Sequence, residues 1–139
     1  MNKDTNKFIY ELEFKVRDYE CDIQGIVNNS CYQNYLEHTR HEFLLANNVS
    51  FAELHSRGID AVVSNIEIHY KSPLKPGDAF VSKLYVTKEG ARYFFHQQIN
   101  RIGDNKLIVK AKVGTVVVVN GKLTATFPEF DNLIEKSNQ

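Results

Sequence analysis

Alternating apolar and polar residues near the start of the chain predict a half-buried β-strand. Charged residues at positions 11, 13 and 15 separate an apolar series that consists of Phe8, Tyr10, Leu12, Phe14 and Val16. Because successive side chains of a strand point to opposite faces, one face of this strand packs on a core and the other meets solvent.

The next apolar series recurs every three to four residues and predicts one long helix. Its members are Tyr32, Tyr35, Leu36, Thr39, Phe43 and Ala46. Ser30 followed by Gln33 fits a capping box at the start, and Asn47-Asn48 can end the helix. The pattern therefore predicts a helix from about residue 30 to residue 47, preceded by a polar loop over residues 17–25.

After Gly58 the period returns to two and predicts a series of strands. We expect them at residues 61–70, 79–88, 93–100, 107–119 and 122–127. Two prolines and a glycine within residues 73–77 predict a turn after the first of them. Asn120-Gly121 predicts a type I′ hairpin before the last. One helical turn is expected within residues 50–58, and a polar tail over about residues 130–139.

The order of these elements predicts an α+β fold in a single domain, residues 1–139. A strand, one long helix and about five further strands follow one another without the β-α-β alternation of a parallel sheet. We therefore predict a single antiparallel sheet wrapped on one helix. Residues 116–119 are all valine, so this strand is apolar on both faces. A second copy of the chain is expected to cover the face that the helix leaves open.

The composition fits a packed domain with no overall charge. Hydrophobic residues make up 42% of the 139, including 9 Phe and 7 Tyr, which excludes a disordered chain. The 17 basic and 17 acidic residues balance, and this disfavours a basic nucleic-acid binder. The first 70 residues hold 6 basic and 11 acidic groups and the rest hold 11 and 6, so the neutrality is a cancellation.

Cysteine usage and hydropathy bear on the compartment. Cys21 and Cys31 are too few for a disulfide framework and lack C-x-x-C spacing, which favours a reducing environment. The sequence also shows neither a signal-peptide pattern nor a long apolar run of membrane-spanning length. We therefore expect a cytoplasmic protein without a membrane partner.

The segment from position 22 to position 30 contains the residues best suited to chemistry. Asp22 precedes the predicted helix, and Gly25 lets the backbone between them turn sharply. The first amides of a helix lack intrahelical partners and lie at the positive end of its dipole. A carboxylate beside such amides suits attack on a carbonyl, because the amides hold the developing oxyanion and the carboxylate acts as nucleophile or base. Alternatively, the negative charge of Asp22 only stabilises the N-terminus of the helix and has no part in catalysis.

Residues 17–40 resemble the signature of hotdog-fold acyl-CoA thioesterases, the 4-hydroxybenzoyl-CoA thioesterase family. Their Val-Asn-Asn-x-x-Tyr portion is also similar to plant acyl-carrier-protein thioesterases. The matching residues are Asp22, Gly25, Ile26, Val27, Asn28, Asn29, Tyr32, Tyr35, Glu37 and Arg40. The resemblance implies a hotdog fold, self-association to a dimer or tetramer, and hydrolysis of an acyl-CoA or acyl-carrier-protein thioester. It implies no cofactor, since coenzyme A is part of the substrate.

The same resemblance implies roles for residues in the matching segment. The family's catalytic carboxylate falls on Asp22, and the amide that polarises the thioester carbonyl falls on the backbone of Asn29. Gly25, Tyr32 and Tyr35 are expected to contribute to substrate binding. Glu37 is expected to have a structural role, pairing with Arg40 at i, i+3.

The basic excess of the second half predicts a site for the phosphates of coenzyme A. Lys71, Lys88 and Arg92 are the candidates, because point charges and guanidinium groups at a pocket mouth attract phosphate. Arg92 also occupies a position that the family uses in a basic cluster contacting the nucleotide. The alternative for each of them is an exposed charge that protects a sheet edge.

Two other functions stay open at this point. One is a non-catalytic acyl or aromatic ligand binder that shares the fold. The other is a hotdog hydratase or dehydratase, which needs a histidine paired with an acid near the helix start, and none lies between Asp22 and Glu37. His38 and His41 lie beside acidic residues, but the HExxH pattern is absent, so we predict no metal.

Overall fold

A computed structural model describes residues 8–137 of the chain. The elements in chain order are β1 (Tyr10–Lys15), a 3₁₀ turn (Asp18–Glu20), α1 (Asn29–Ala46), α2 (Phe51–Ser56), β2 (Ile59–Tyr70), β3 (Ala79–Glu89), β4 (Arg92–Arg101), β5 (Leu107–Val119), β6 (Lys122–Thr124) and α3 (Pro128–Ser137). The α+β prediction and the predicted order of strands and long helix are confirmed. In the described part of the chain, no helix is long and apolar enough to cross a bilayer.

All strand pairs of the six-stranded sheet are antiparallel. The strand order is β1-β3-β4-β5-β2, with β6 paired to β5, so β1 and β2 form the two edges. Residues 116–119 of β5 therefore lie inside the sheet, between β2 and its other neighbours. Val116, Val118 and Val119 are half-buried there. More exposed apolar surface lies on β2, where four large side chains are 41% to 46% exposed: Val62, Val63, Ile66 and Tyr70.

Helix α1 packs one face on the sheet because its apolar positions recur every three to four residues. Its buried side chains are Tyr32, Tyr35, Leu36, Thr39, Arg40, Phe43 and Leu44. Two hydrophobic clusters result, one around Tyr32 and Tyr35 and the other around Phe43 and Leu44. The first cluster supports the start of the helix, where the predicted chemistry lies.

The start of α1 differs from the predicted capping box. Asn28, not Ser30, is the N-cap residue, since its Oδ1 accepts hydrogen bonds of 3.1 Å from both the backbone N–H and the hydroxyl of Ser30. An asparagine side chain reaches the amide two residues onward and so competes well for this position. The helix accordingly begins at Asn29.

The residues expected to form a polar tail instead form α3, which docks on the sheet. Phe130 and Leu133 are buried, and Tyr93 of β4 donates a 2.6 Å hydrogen bond to Asp131 Oδ1. Sequence reading missed this helix although Phe127, Phe130, Leu133 and Ile134 recur at helical spacing. The predicted β-hairpin is confirmed, with positive φ at both Asn120 (49°) and Gly121 (83°), as a type I′ turn requires.

Candidate active site

The loop before α1 folds back on itself and brings Asp22 alongside the residues that lead into the helix. The backbone N–H of Asp22 donates to the carbonyl of Ile26 at 2.9 Å, and that of Asn28 donates to the carbonyl of Glu20 at 3.0 Å. Gly25 sits at the tip with a φ of 76°, a left-handed conformation that glycine adopts without steric cost. The predicted role of Gly25 as a turn residue fits this geometry.

The side chain of Asp22 is exposed at the surface of this loop. Its Oδ1 accepts a 2.8 Å hydrogen bond from the backbone N–H of Gln24. Within residues 8–135 no Lys, Arg or His comes within ion-pair distance of it. The carboxylate is thus held in orientation by one bond and is open to a ligand.

The backbone amide of Asn29 is the first of α1 and is exposed with it. The backbone N–H of Ser30 donates to the side chain of the N-cap residue, Asn28. The N–H of Asn29 donates to no acceptor in the part of the chain described. An unpartnered amide at the N-terminus of an 18-residue helix lies in the positive field of the helix dipole. This amide can therefore hold an oxyanion.

Two tyrosines of α1 fix these groups in place. Both are buried, and Tyr32 Oη accepts a 3.1 Å bond from the backbone N–H of Leu74, while Tyr35 Oη donates a 2.8 Å bond to Glu20 Oε1. Burial, together with the carboxylate of Glu20, raises the pKa of Tyr35. Both hydroxyls thus bond inside the protein rather than toward a ligand, so we interpret these side chains as supports of the site.

The three predicted phosphate-binding residues lie at different ends of the sheet. Lys71 follows β2, and its backbone N–H bonds the carbonyl of Ile108, whereas Arg92 is paired with Val116. Eight residues of β5 separate these positions, which corresponds to about 26 Å along a strand. In a single protomer they therefore do not form one cluster.

Leu74 joins the turn after β2 to the segment that leads into α1. Its carbonyl accepts a 2.9 Å bond from the backbone N–H of Val27, just before α1. The turn that follows Lys71 is thus bonded to the start of the helix. Lys71 is the predicted basic residue on the same end as Asp22.

Lys88 has a structural partner at the far end. Its Nζ donates a 3.0 Å hydrogen bond to Asp131 Oδ1 of α3, and this bond raises the pKa of Lys88. The ammonium also lies over the ring of Tyr93. These contacts explain the position of the Lys88 side chain without a ligand.

Arg92 is exposed at the start of β4.

Sequence reasoning missed two buried charged residues. Glu20 accepts hydrogen bonds from Tyr35 Oη and from the backbone N–H of Arg17 (2.8 Å), and nothing in its loop sequence indicates burial. Arg40 donates a 3.0 Å bond from Nη1 to Gln97 Oε1. The expected ion pair between Glu37 and Arg40 is not among those formed within residues 8–137. The position of Arg40 in phase with Leu36 and Phe43 is a signal that could have indicated its burial.

The two histidines of α1 differ in exposure. His41 is half-buried against the ring of Phe51, and burial lowers its pKa, whereas His38 is exposed. His38 Nε2 lies 3.7 Å from Glu42 Oε1, one turn onward on the same helix. Over the described range 8–137, no three His, Cys, Asp or Glu side chains form a metal-ligating group.

Comparison with known proteins places this site in a family context. The family model described as the thioesterase-like superfamily matches residues 16–133. An acyl-acyl carrier protein thioesterase of Arabidopsis thaliana, described as chloroplastic, is 38% identical over 114 residues, which cover 81% of this chain and 60% of the relative. A putative esterase of Aquifex aeolicus is 32% identical over 118 residues, covering 85% and 90%. The chain thus spans only about 60% of the length of the plant relative.

Solved structures share the fold. A 1,4-dihydroxy-2-naphthoyl-CoA thioesterase from Synechocystis superposes with a TM-score of 0.87 at 17% identity, covering 94% of this chain and 98% of that one. The hotdog fold expected from residues 17–40 is confirmed. The cytoplasmic location stays a prediction.

Proposed function

Since the chain belongs to the thioesterase-like superfamily, we propose that it hydrolyses an acyl-CoA or acyl-carrier-protein thioester to the free acid and the thiol. The observation that supports this most directly is the pairing of an open carboxylate, Asp22, with the unpartnered amide of Asn29 across one short loop. The relatives are named as thioesterases or as an esterase, which agrees with this chemistry.

In the proposed reaction the thioester carbonyl oxygen accepts a hydrogen bond from the Asn29 N–H. Asp22 either attacks the carbonyl carbon or removes a proton from a water that does so. Negative charge develops on the carbonyl oxygen, where the amide and the helix dipole stabilise it. The carbon–sulfur bond then breaks and the thiolate leaves, taking up a proton. Where Asp22 attacks, the product of this step is an acyl anhydride on Asp22, and water then hydrolyses it to release the acid and restore the carboxylate. In both routes water supplies the new oxygen of the acid, and no cofactor or metal takes part.

We further propose that the active unit is a homodimer formed along β2. Unpaired backbone groups and exposed apolar side chains make this edge suited to pairing with another strand. Two copies of one strand pair antiparallel about a two-fold axis, and this interface is self-complementary. Such pairing brings the end of the sheet that holds Arg92 in one protomer toward the Lys71 end of the other. Phosphate binding by both residues then requires the dimer.

A steady-state hydrolysis screen tests the activity. Wild type, Asp22→Asn and Asp18→Asn are assayed with short-chain, long-chain and aromatic acyl-CoAs, and folding is checked by circular dichroism. Asp18 is an exposed carboxylate of the same loop and serves as the matched control. We expect turnover by wild type and by Asp18→Asn and its loss in Asp22→Asn. Ligand-induced thermal stabilisation without product would indicate a non-catalytic binder instead.

A further inference from the structure

Two cavities follow α1 on the side that faces β2. The first, of about 30 Å³, begins at Gln33, one turn after the exposed amide of Asn29, and the second has about 230 Å³. They share Glu37 and Arg40 in their linings. The remaining walls are mostly apolar and include Leu36, Ile66, Ile68, Val113, Phe95 and Phe130. The two linings follow α1 from Gln33 to Leu44, and together they form what we call the channel, whose apolar walls suit an acyl chain.

Arg40 is the feature of this channel that the proposed mechanism does not use. The residue is only 8% exposed. Among residues 8–137 its guanidinium makes one side-chain hydrogen bond, to Gln97, and lies within ion-pair distance of no carboxylate. A guanidinium carries five N–H donors, and the nitrogens of Arg40 that make no hydrogen bond are not sealed from solvent, since no buried side-chain N or O atom of the described residues lacks a partner. These nitrogens are therefore open to a ligand, although most of the side chain is buried. Burial accordingly lowers the pKa of Arg40 from its ordinary value.

The position of the guanidinium along α1 follows from its hydrogen bonds. Gln97 accepts from Arg40 and donates a 3.0 Å bond from Nε2 to the carbonyl of Leu36. The guanidinium therefore lies between the levels of residues 36 and 40, about 10 to 16 Å along the helix axis from Asn29. With carbon–carbon bonds of about 1.5 Å, an extended chain of about eight to twelve carbons spans that distance.

We propose that Arg40 binds a carboxylate at the far end of the acyl chain, so that the enzyme prefers monothioesters of α,ω-dicarboxylic acids of about eight to twelve carbons. This inference rests on the proposed thioesterase function and specifies its substrate class. The carboxylate of the ligand then acts as the counter-ion of Arg40. The methylene chain of the ligand lies against the apolar walls of the channel.

Glu37 modulates this site from the channel's exposed side. Its carboxylate raises the pKa of Arg40 and so opposes the effect of burial on it. The same negative charge disfavours an incoming carboxylate by repulsion. Glu37→Gln is therefore expected to increase the preference for dicarboxylic substrates.

The test compares kcat/KM for decanoyl-CoA with that for the mono-CoA thioester of decanedioic acid. Wild type should prefer the dicarboxylic substrate, and Arg40→Met should lower the ratio of the two kcat/KM values by about 10- to 100-fold. Arg40→Lys should retain part of the preference. Gln97→Glu places a carboxylate where Gln97 Oε1 lies 3.0 Å from the guanidinium, and this internal counter-ion should abolish the preference while Arg40 stays.

A second measurement separates this inference from the proposed activity. Calorimetric binding of decanedioate and decanoate to wild type and Arg40→Met needs no turnover. Tighter binding of decanedioate by wild type alone, with no hydrolysis of any thioester, would contradict the activity and support the Arg40 site. Equal affinity of wild type for the two ligands would overturn the inference. An equal loss of affinity for both ligands in Arg40→Met, together with altered dimerisation, would also overturn it and would assign Arg40 a structural role between α1 and β4.

Discussion

Tyr35 Oη of α1 donates a 2.8 Å hydrogen bond to the buried carboxylate of Glu20, fifteen residues earlier in the chain. Glu20 belongs to the loop that contains Asp22, and its backbone carbonyl accepts the N–H of Asn28 at the helix cap. One residue thus bonds both the side of the helix and its start. The orientation of Asp22 relative to the Asn29 amide depends on this connection.

Removing the tyrosine hydroxyl tests that dependence. Tyr35→Phe leaves Glu20 with one donor fewer in a buried position, so we expect the free energy of unfolding to fall by about 1 to 3 kcal/mol. Thioester hydrolysis should fall as well, since the loop is less firmly held. Urea denaturation and kcat measurements check both effects. Tyr19→Phe, at an exposed tyrosine of the same loop, is the control and should change neither; equal stability of both variants would contradict the role of the bond.

The N-cap of α1 is a second support of the site. Asn28→Ala removes the acceptor for Ser30, and loss of such a cap costs about 0.5 to 2 kcal/mol. The first turn should fray and displace the Asn29 amide, so kcat should fall more than KM changes. Thermal denaturation and steady-state kinetics measure these effects. Asn34→Ala, an exposed position within α1, should be close to neutral in both; a similar loss there would show that the cap is not special.

The β2 edge predicts a dimer that charge can disrupt. Val62→Lys with Val63→Lys places two cations on the exposed edge, a substitution that natural edge strands use to prevent pairing. We expect wild type to elute as a dimer in light-scattering chromatography and the double variant as a monomer with impaired hydrolysis. Leu123→Lys alters an exposed leucine on β6 and should stay dimeric. A monomeric, fully active wild type would refute the proposed assembly.

An ion pair beside the β4–β5 turn predicts a change in acid stability. Arg101 lies 2.7 Å from Asp104 and lowers the pKa of that carboxyl from 3.8 to about 2. A carboxyl whose pKa is lower in the folded state stabilises the fold above its unfolded pKa, and this contribution is lost as the pH falls through the folded value. The stability advantage of wild type over Arg101→Met should therefore shrink between pH 4 and pH 2. Denaturation midpoints across that range measure it, with Lys106→Met as control; a constant advantage would contradict the assignment.

The periodic elements of this fold were predictable because each shows its own apolar repeat. Alternation indicated the strands, the three-to-four repeat indicated α1, and Asn120-Gly121 fixed its hairpin through local backbone preference. Helix α3 has an apolar repeat too, in Phe127, Phe130, Leu133 and Ile134, and this repeat was a signal that could have indicated it. The repeat covers only about two turns, and the polar residues between its members favour a tail until the sheet beneath buries Phe130 and Leu133.

Within the candidate site, local sequence indicated the loop and the helix start but not the long-range partners. Asp22 and Asn29 are seven residues apart, so a turn and a helix suffice to relate them. The Glu20–Tyr35 and Arg40–Gln97 contacts join different elements and follow only from packing. The separation of Lys71 from Arg92 likewise depends on strand register, which composition does not reveal.

Asp22 is proposed to perform the chemistry, and a single-turnover measurement with the Asp22→Asn variant examines this role without interference from other steps. Enzyme in excess over a thioester that wild type hydrolyses reports the chemical step without product release. We predict that the rate of acid formation falls by about 100-fold or more, since general acid–base catalysis contributes at least that much, while the circular dichroism spectrum stays unchanged. A rate in the folded variant within about twofold of the wild-type rate would contradict a catalytic role for Asp22, because loss of a catalytic base lowers the rate by much more than that.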